Sequence, residues 1–435
     1  MAEKARHITV GLAVIGSGLA GCAASVFALN QGIATAQTGN TGAIAYTTGY
    51  LDLLGHDADA VSPLLSNPWT GIETLRATGS RHPLARVSEA DTRQAFTEFV
   101  GFLAEGGISY TAPGLRNFTA LTPAGTTKPT LCMPVTMQGG AEALERKTPC
   151  LIVDFKGLRG FSARQIGANL QDHWPVLRTE RLIFPGMDHG EIYPEVMARS
   201  LEVPATRERL AAMLKEKAGH AEAIGMPAIM GVHRPDEVME ELTQLVGRQV
   251  FEIPTMPPAV PGTRLREMFQ ELLPKKGLTL IPQQKISCVE LTEEEIILRL
   301  TDVCGPAVIH AQTAIVATGR FLSGGLKARR DRIVEPLLDL FISQPDSREE
   351  WYRHDYFDKQ GHGVNLCGLE VDDSFRPLDA AGKPVDPRLF AAGVILAHQD
   401  WIRGRCGAGV AIASAYKAVQ GVAQVMRQQR SGRKR

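Results

Sequence analysis

Ile8-Thr-Val-Gly-Leu-Ala-Val-Ile15, followed at once by Gly16-Ser-Gly18-Leu-Ala-Gly21, decides how this chain reads. The first eight residues form a nearly continuous apolar run, as in a strand buried on both faces. Three glycines then fall in the spacing G-x-G-x-x-G, and the small residues from Cys22 to Asn30 suit a helix lying close on that strand. The first glycine permits a tight turn, the second lets backbone approach a phosphate, and the third lets helix and strand pack. Free N–H groups at the helix start meet the phosphate charge. A short second strand, Ile33 to Gln37, completes a βαβ unit. The pattern predicts an α/β, Rossmann-like nucleotide-binding fold; a glycine-rich turn that binds nothing is the alternative.

Composition narrows the class. Lys and Arg total 47 against 47 Asp and Glu, so the net charge is zero, whereas a dedicated nucleic-acid binder carries a basic excess. Hydrophobic residues make up 44% and charged residues 22%, which excludes wholesale disorder, collagen and coiled coil. Glycine is in surplus, 43 of 435 residues, about a tenth where about 7% is usual. Seven cysteines are scattered along the chain without close pairs. That argues for a reducing cytosol, and against iron–sulfur or structural zinc sites within this chain. The apolar run from Ile8 to Leu29 is broken by Gly11, Gly16, Ser17, Gly18 and Gly21, so it reads as strand, turn and helix rather than a membrane span.

Working outward, residues 80–250 are more polar and helix-rich, with helices expected at Glu89–Glu105, Ala163–Asp172, Thr206–Leu214 and Pro235–Leu245 and a strand at Cys150–Phe155. Four prolines at 254, 257, 258 and 261 mark the return. Leu265, Met268, Phe269, Leu272 and Leu273 then predict an amphipathic helix. A strand at Leu278–Ile281, a hairpin of Ile286–Leu291 with Glu295–Leu300, and a strand leading into Ala317-Thr318-Gly319 follow. The expected organisation is a discontinuous cofactor domain, 1–79 and 251–426, an inserted α+β cap at 80–250, and a basic tail at 427–435. The tail carries five Arg or Lys among nine residues. It reads as a solubilising end or as a contact for anionic lipid or a partner.

Near the C-terminus, Leu389 to Gly393 reads as a strand closing on a glycine, and Arg405-Cys406-Gly407-Ala408-Gly409 opens a helix carrying Ile412, Tyr416, Val419, Ala423 and Met426 at helical spacing. A positive helix end beside the N1–C2=O edge of an isoalloxazine stabilises an anionic reduced flavin. Together with Thr318, Gly319 and the opening fingerprint, this is a flavoprotein pattern. Dinucleotide folds place Asp or Glu at the end of the second strand to hold the adenosine ribose. Here the segment is Ala36-Gln37-Thr38-Gly39-Asn40. With no carboxylate there, the sequence favours FMN, with FAD as the alternative.

The segments Ile15–Gly21, Thr47-Thr-Gly-Tyr-Leu-Asp-Leu-Leu54, Pro254-Thr-Met-Pro-Pro258, Phe321-Leu-Ser-Gly-Gly-Leu326, Glu335-Pro336, Glu350-Trp-Tyr352 and Cys406–Gly409 together resemble the B subunits of the anaerobic glycerol-3-phosphate dehydrogenases. The resemblance spans nearly the whole chain and is weakest over 80–250. It implies a three-subunit, quinone-linked enzyme oxidising glycerol 3-phosphate to dihydroxyacetone phosphate. In that enzyme a catalytic partner holds FAD, the B subunit is assigned FMN, and an iron–sulfur membrane-anchor partner attaches the pair to the inner membrane face. This implies a cytoplasmic chain, peripheral at the membrane through a partner. The implied cofactor-binding residues are Gly16, Gly18, Gly21, Thr47, Thr48, Gly49, Thr318, Gly319, Gly393, Gly407, Ala408 and Gly409.

Hydride removal from an alcohol requires a flavin acceptor, a base for the hydroxyl proton and cations for the phosphate. His398, Arg403 and Arg405, just before the last glycine turn, are the catalytic candidates, and His354 and His362 rank below them. A hydrogen-bonded loop histidine and flavin- or partner-binding arginines are the competing readings. Cys406 stands where a helix N-terminus lowers a thiol pKa, although packing near the ring is the preferred role. No metal ligands are expected. Another flavin enzyme, fumarate-reductase-like or amine-oxidising, and a non-catalytic scaffold are the alternative functions.

Overall fold

The structure, a computed structural model, describes residues 5–39, 42–56 and 64–432. Asn40 and the last three residues of the basic tail lie outside the described residues. Two compact units divide the chain: Met1–Ala43, Asp52–Phe99 and Phe269–Arg435 form the first, Ile44–Leu51 and Val100–Met268 the second. Residues 80–99 thus group with the first unit, and 44–51 and 251–268 with the second. The sequence boundaries at 79/80 and 250/251 do not separate these pieces.

The first unit is built on the opening βαβ. Strand β1 (Arg6–Ile15) is buried over its last six residues and feeds α1 (Leu19–Asn30) and β2 (Thr35–Gly39). The parallel core adds β9 (Thr279–Pro282) beside β2, β12 (Gly305–Val316) beside β1, and β17 (Leu389–Ala391) beside the end of β12. Strands β10 (Ile286–Leu291) and β11 (Ile296–Asp302) extend the sheet as an antiparallel ribbon on the first half of β12. The register pairs Ile15 with Val316 on one side and Thr38 on the other, so three strand ends finish level. This row of carboxyl ends is where open α/β sheets bind ligands.

Helix α1 is buried continuously from Ala20 to Ala28 and meets α10 (Gly407–Gly432), with the Phe27 and Tyr416 rings edge-on at 5.1 Å. α10 crosses β1 at Gly11, where a β carbon would press on the Met426 methyl group. Helix α2 (Pro68–Ala77) starts on Asn67, whose side chain accepts from Trp69 N at 3.0 Å, with proline at the first position. Two-residue strands β13 (Lys327–Ala328) with β14 (Ile333–Val334), and β15 (Ile342–Ser343) with β16 (Gly368–Leu369), brace the long loops between β12 and β17.

The second unit has its own core. Hairpin β3 (Phe118–Leu121) and β4 (Thr127–Thr130) accompanies a four-stranded, wholly parallel sheet of β5 (Cys150–Phe155), β6 (Leu177–Leu182), β7 (Ala223–Pro227) and β8 (Gln249–Ile253), in the order β6-β5-β7-β8. Helices α4 (Val135–Arg146), α5 (Ala163–Leu170), α6 (Pro194–Leu201), α7 (Pro204–Ala218) and α8 (Pro235–Val246) surround it. The unit boundaries fall within α3 (Glu89–Glu105) and α9 (Val260–Lys275). One ion pair is fully buried: Glu252 accepts from both terminal nitrogens of Arg264 at 2.7 Å, from Thr136 Oγ1 at 2.7 Å and from Met230 N at 2.6 Å.

Candidate functional site

The glycine turn after β1 is stitched to both neighbouring strands: Gly16 N donates to Thr38 O at 2.8 Å, and Ala317 N donates to Ile15 O at 2.8 Å. Gly16 has φ +138°, and a β carbon there would overlap the Ala317 carbonyl. A β carbon at Gly21 would overlap the carbonyl of Gly16. Gly18 is different: it forms the N-cap of α1 without a side-chain cap, and, chain neighbours and its own helix aside, no atom of the described residues lies within 4 Å of where its β carbon would stand. Two glycines are therefore demanded by the fold, and the third leaves open space above uncapped helical N–H groups.

The β12 end completes the rim. Thr318 Oγ1 is buried with no hydrogen-bond partner among the described residues, while Ser323 Oγ donates to Thr318 O at 2.6 Å. Gly319, at φ +69°, begins a reversal that lays Gly325 over the Gly319 carbonyl. Gly393, at φ +86°, lies against Ala20 of α1, and its N–H donates to Ser414 Oγ of α10 at 2.8 Å. At the α10 start Gly409 N donates to Asp52 O at 2.7 Å, and a β carbon on Gly409 would overlap Leu53. The N–H groups of Gly407 and Ala408 have no partner among the described residues. The first unit thus gathers Gly16, Gly18, Gly21, Thr318, Gly319, Gly393, Gly407, Ala408 and Gly409 on elements that share hydrogen bonds or packing. Thr47, Thr48 and Gly49 belong to the second unit, where Gly49 N donates to Thr47 Oγ1 at 3.2 Å and Tyr110 OH donates to Gly49 O at 2.8 Å.

The polar candidates have protein partners. His398, in the left-handed region at φ +61°, pairs through Nε2 with Glu370, which also takes Arg81. These hydrogen bonds and charges hold the Glu370 carboxyl below its ordinary range despite partial burial. Arg403 donates to the carbonyls of Asp358 and Lys359, and Arg405 has φ +46°. His362 Nδ1 accepts from Arg353 N at 3.1 Å.

Cys406 is fully buried, and burial pushes its thiol upward, opposite to the expected lowering by the helix end. Its sulfur lies 3.8 Å from Nε2 of His82. Burial, reinforced by the charge of His398, lowers the His82 pKa to about 4, and its Nδ1 accepts from Leu84 N at 3.1 Å. The neutral tautomer therefore carries its proton on Nε2, facing the sulfur. His82, Glu370 and Ser414 escape a reading of the sequence because only the fold brings them to this end of α10. The one signal in the linear order is the requirement of a turn glycine such as Gly393 for an acceptor.

A flavin-dependent oxidoreductase is the class this α/β architecture and glycine rim define, and the chain belongs to the FAD binding domain family, whose model matches residues 11–410. It is similar to the B subunit of the anaerobic glycerol-3-phosphate dehydrogenase of Aliivibrio fischeri (strain MJ11), 28% identical over 433 residues and covering 94% of each chain. The corresponding B subunit of Pectobacterium atrosepticum is 29% identical over 410 residues, covering 92% of this chain and 96% of that one. Among solved structures, 3-ketosteroid delta1-dehydrogenase from Sterolibacterium denitrificans aligns with a TM-score of 0.42 and 11% identity, over 96% of this chain and 100% of that chain.

The family corrects the cofactor expected from sequence: it points to FAD, not FMN. Gln37 explains why the missing carboxylate misleads. Its side chain turns inward, with Nε2 donating to Gly16 O at 2.9 Å, and Thr38 Oγ1 donates to Gln284 O at 3.3 Å. Both are buried, Gln37 serving the glycine turn and Thr38 the loop after β9, so this segment does not discriminate between flavins. The open space at Gly18, the uncapped α1 start and the orphaned Thr318 hydroxyl fit a dinucleotide's phosphates. The carboxylate that usually holds the ribose is not present on β2.

Proposed function

We propose that this chain is the B subunit of a quinone-linked enzyme that oxidises sn-glycerol 3-phosphate to dihydroxyacetone phosphate. Its companions in this reading are a catalytic partner holding its own FAD and an iron–sulfur partner that keeps the assembly at the inner membrane face and passes electrons to quinone. The observation that carries the reading is end-to-end similarity to B subunits from several species, over 92–94% of the chain. No helix among the described residues is long and apolar enough to cross a membrane, and among them no group of three or more His, Cys, Asp or Glu side chains is placed to hold a metal.

Bound FAD supplies a two-electron acceptor that can pass electrons onward singly. In this reading Gly16, Gly18 and Gly21 admit its phosphates, with Thr318 and Gly319 beside them. Gly393, Gly407, Ala408 and Gly409 present backbone to its ring end. His398 and Arg403 keep their loops in place through the partners described above, which favours electron relay over proton abstraction within this chain.

Co-expression with both companions tests the assignment. Flavin released by denaturation from this chain, once separated from its companions, should have the mass of FAD, and flavin absorbance of the complex should bleach with glycerol 3-phosphate. Bleaching by succinate or amines instead would favour another flavin oxidoreductase. A chain with no extractable flavin in a functional complex would leave a scaffold.

A further inference from the structure

Three loops of the first unit, one after β12, one between β15 and β16 and one after β17, are tied together through backbone acceptors. Arg320 donates to the carbonyls of Val364, Asn365 and Cys367, and Arg403 to those of Asp358 and Lys359. Asn365 Nδ2 bridges to Asp400 at 3.0 Å, and Val364 N donates to Trp351 O at 2.8 Å. Guanidinium groups are well suited to this, because their forked donors fix several carbonyls at once. The loops are thereby pinned, yet they present large apolar side chains outward. Leu322 is 85% exposed, Phe357 85% and Tyr356 79%, and Tyr352, Trp401 and Ile402 are exposed on the same tied loops. Tyr356 and Phe357 stack edge-on at 5.0 Å.

Single exposed apolar residues are ordinary, but a cluster on hydrogen-bonded loops is the signature of a contact surface. Tyr, Trp and Phe at the centre with charge at the margin is the composition of protein–protein interfaces. One stretch of the margin, residues 327–332, is basic, while the aromatic loop itself also exposes Asp346, Glu349, Glu350 and Asp355. Lys327, Arg329, Arg330 and Arg332 are all exposed, with Asp331 the only acid among residues 327–332, and none of the four forms an ion pair among the described residues. Arg348 links this margin to the aromatic loop: its Nη1 donates to Arg330 O at 2.9 Å, and its guanidinium lies 5.4 Å from the Trp351 ring centroid.

We infer that the loops carrying Leu322, Tyr352–Phe357 and Trp401–Ile402 form the docking face for a companion protein whose matching surface has an apolar centre and carboxylates opposite the basic 327–332 stretch. This rests on the reading of the chain as one member of an assembly. The occupant is a protein because the face is built of pinned, irregular loops rather than a continuous amphipathic helix of the kind that lies in a lipid interface. Unpaired cations at the margin add long-range attraction for an acidic surface and select the orientation of approach. Trp401 also lies against Gly407, at the start of α10, so a companion seated here stands next to the cofactor turn.

The test uses tagged full-length chain co-expressed with its two companions, and measures the companions recovered per tagged chain. Tyr356→Ser with Phe357→Ser, and separately Leu322→Ser, should lower recovery about tenfold or more; Arg329→Glu with Arg330→Glu should lower it at low salt and less at high salt. Val303→Ser, at a residue 97% exposed on the β11–β12 turn, should leave recovery unchanged. Thermal melting and flavin content of each isolated chain check that it is folded. Recovery unchanged in folded patch variants overturns the docking face while the reading of the chain as a member of the assembly stands. No association by the wild-type chain overturns both. Loss in the patch variants only of dimerisation, or only of binding to anionic phospholipid vesicles, also overturns the proposal, assigning the face to a second copy or to lipid.

Discussion

At the scale of single residues, Gly16 and Gly18 look equivalent in the sequence and are not equivalent in the fold. Gly16 combines positive φ with a carbonyl in its β-carbon position, so Gly16→Val should destabilise the chain by roughly 2–3 kcal/mol even without cofactor. Gly18→Asp adds a carboxylate to open space, so the cofactor-free chain should unfold within about 0.5 kcal/mol of wild type while FAD retention is lost. Denaturant titration of the cofactor-free proteins, with flavin-to-protein ratio after gel filtration, separates the two roles. Equal destabilisation by both substitutions would contradict this division.

His82 makes a pH-dependent prediction of opposite origin. Its pKa is about 4 when folded against an ordinary 6.5, so between these values the unfolded chain binds the extra proton. The benefit of keeping this ring neutral is intact above about pH 6.5 and lost as pH falls toward 4, at most roughly 3 kcal/mol. Urea unfolding across this range should show a flatter pH profile for His82→Asn than for wild type. Parallel profiles would mean that the ring is protonated when folded. The linear order hides this pair, because His82 and Cys406 are 324 positions apart.

Among elements, legibility follows how regularly a segment is buried. Glu89–Glu105 is helical with the limits the sequence predicts, because Phe96, Phe99 and Leu103 recur on one buried face. The opening βαβ is equally clear, since strand, glycines and helix constrain one another. In the second unit the same reasoning finds β5 but not β7 or β8. Strand β7 is Ala-Ile-Gly-Met-Pro, five residues buried on both sides, with neither alternation nor β-branched enrichment to mark it. Gly225 in its middle lies under the Phe251 ring of β8, a packing reason that only the partner strand reveals.

Two tests belong at this level. Ser414→Ala should leave the Gly393 N–H without its acceptor where α10 meets the β17 turn, costing about 1–3 kcal/mol in thermal or denaturant unfolding. Arg264→Met should cost about 3–5 kcal/mol by leaving Glu252 buried without its countercharge, and adding Glu252→Gln should recover part of that loss. A double variant no more stable than the single one would show that the other partners of Glu252, Thr136 and Met230, carry the site.

At the scale of the whole molecule, sequence and structure agree on a flavoprotein fold, and the family match overturns the cofactor that the sequence favoured. The rule linking a strand-end carboxylate to the adenosine ribose reads one position and assumes that position faces the ligand. Here Gln37 faces the turn, so an informative-looking gap carries no information about the cofactor. The candidate glycines are legible because backbone approach restricts residue type wherever it occurs. Polar roles are not, because Arg403 and His398 are chosen by loops and carboxylates that the linear order does not place beside them.

The division of the chain also limits how its second unit can be handled as a part. Residues 44–51 are a strap of that unit lying upstream of the main insertion: Leu51 bridges to Cys132, Tyr50 OH donates to Leu121 O at 2.8 Å, and Gly262 packs against the Ala45 carbonyl. Excising 100–268 would remove those acceptors and strand the strap in the remainder. A chimaera that exchanges this unit between relatives must therefore cut the chain in four places and move both pieces together.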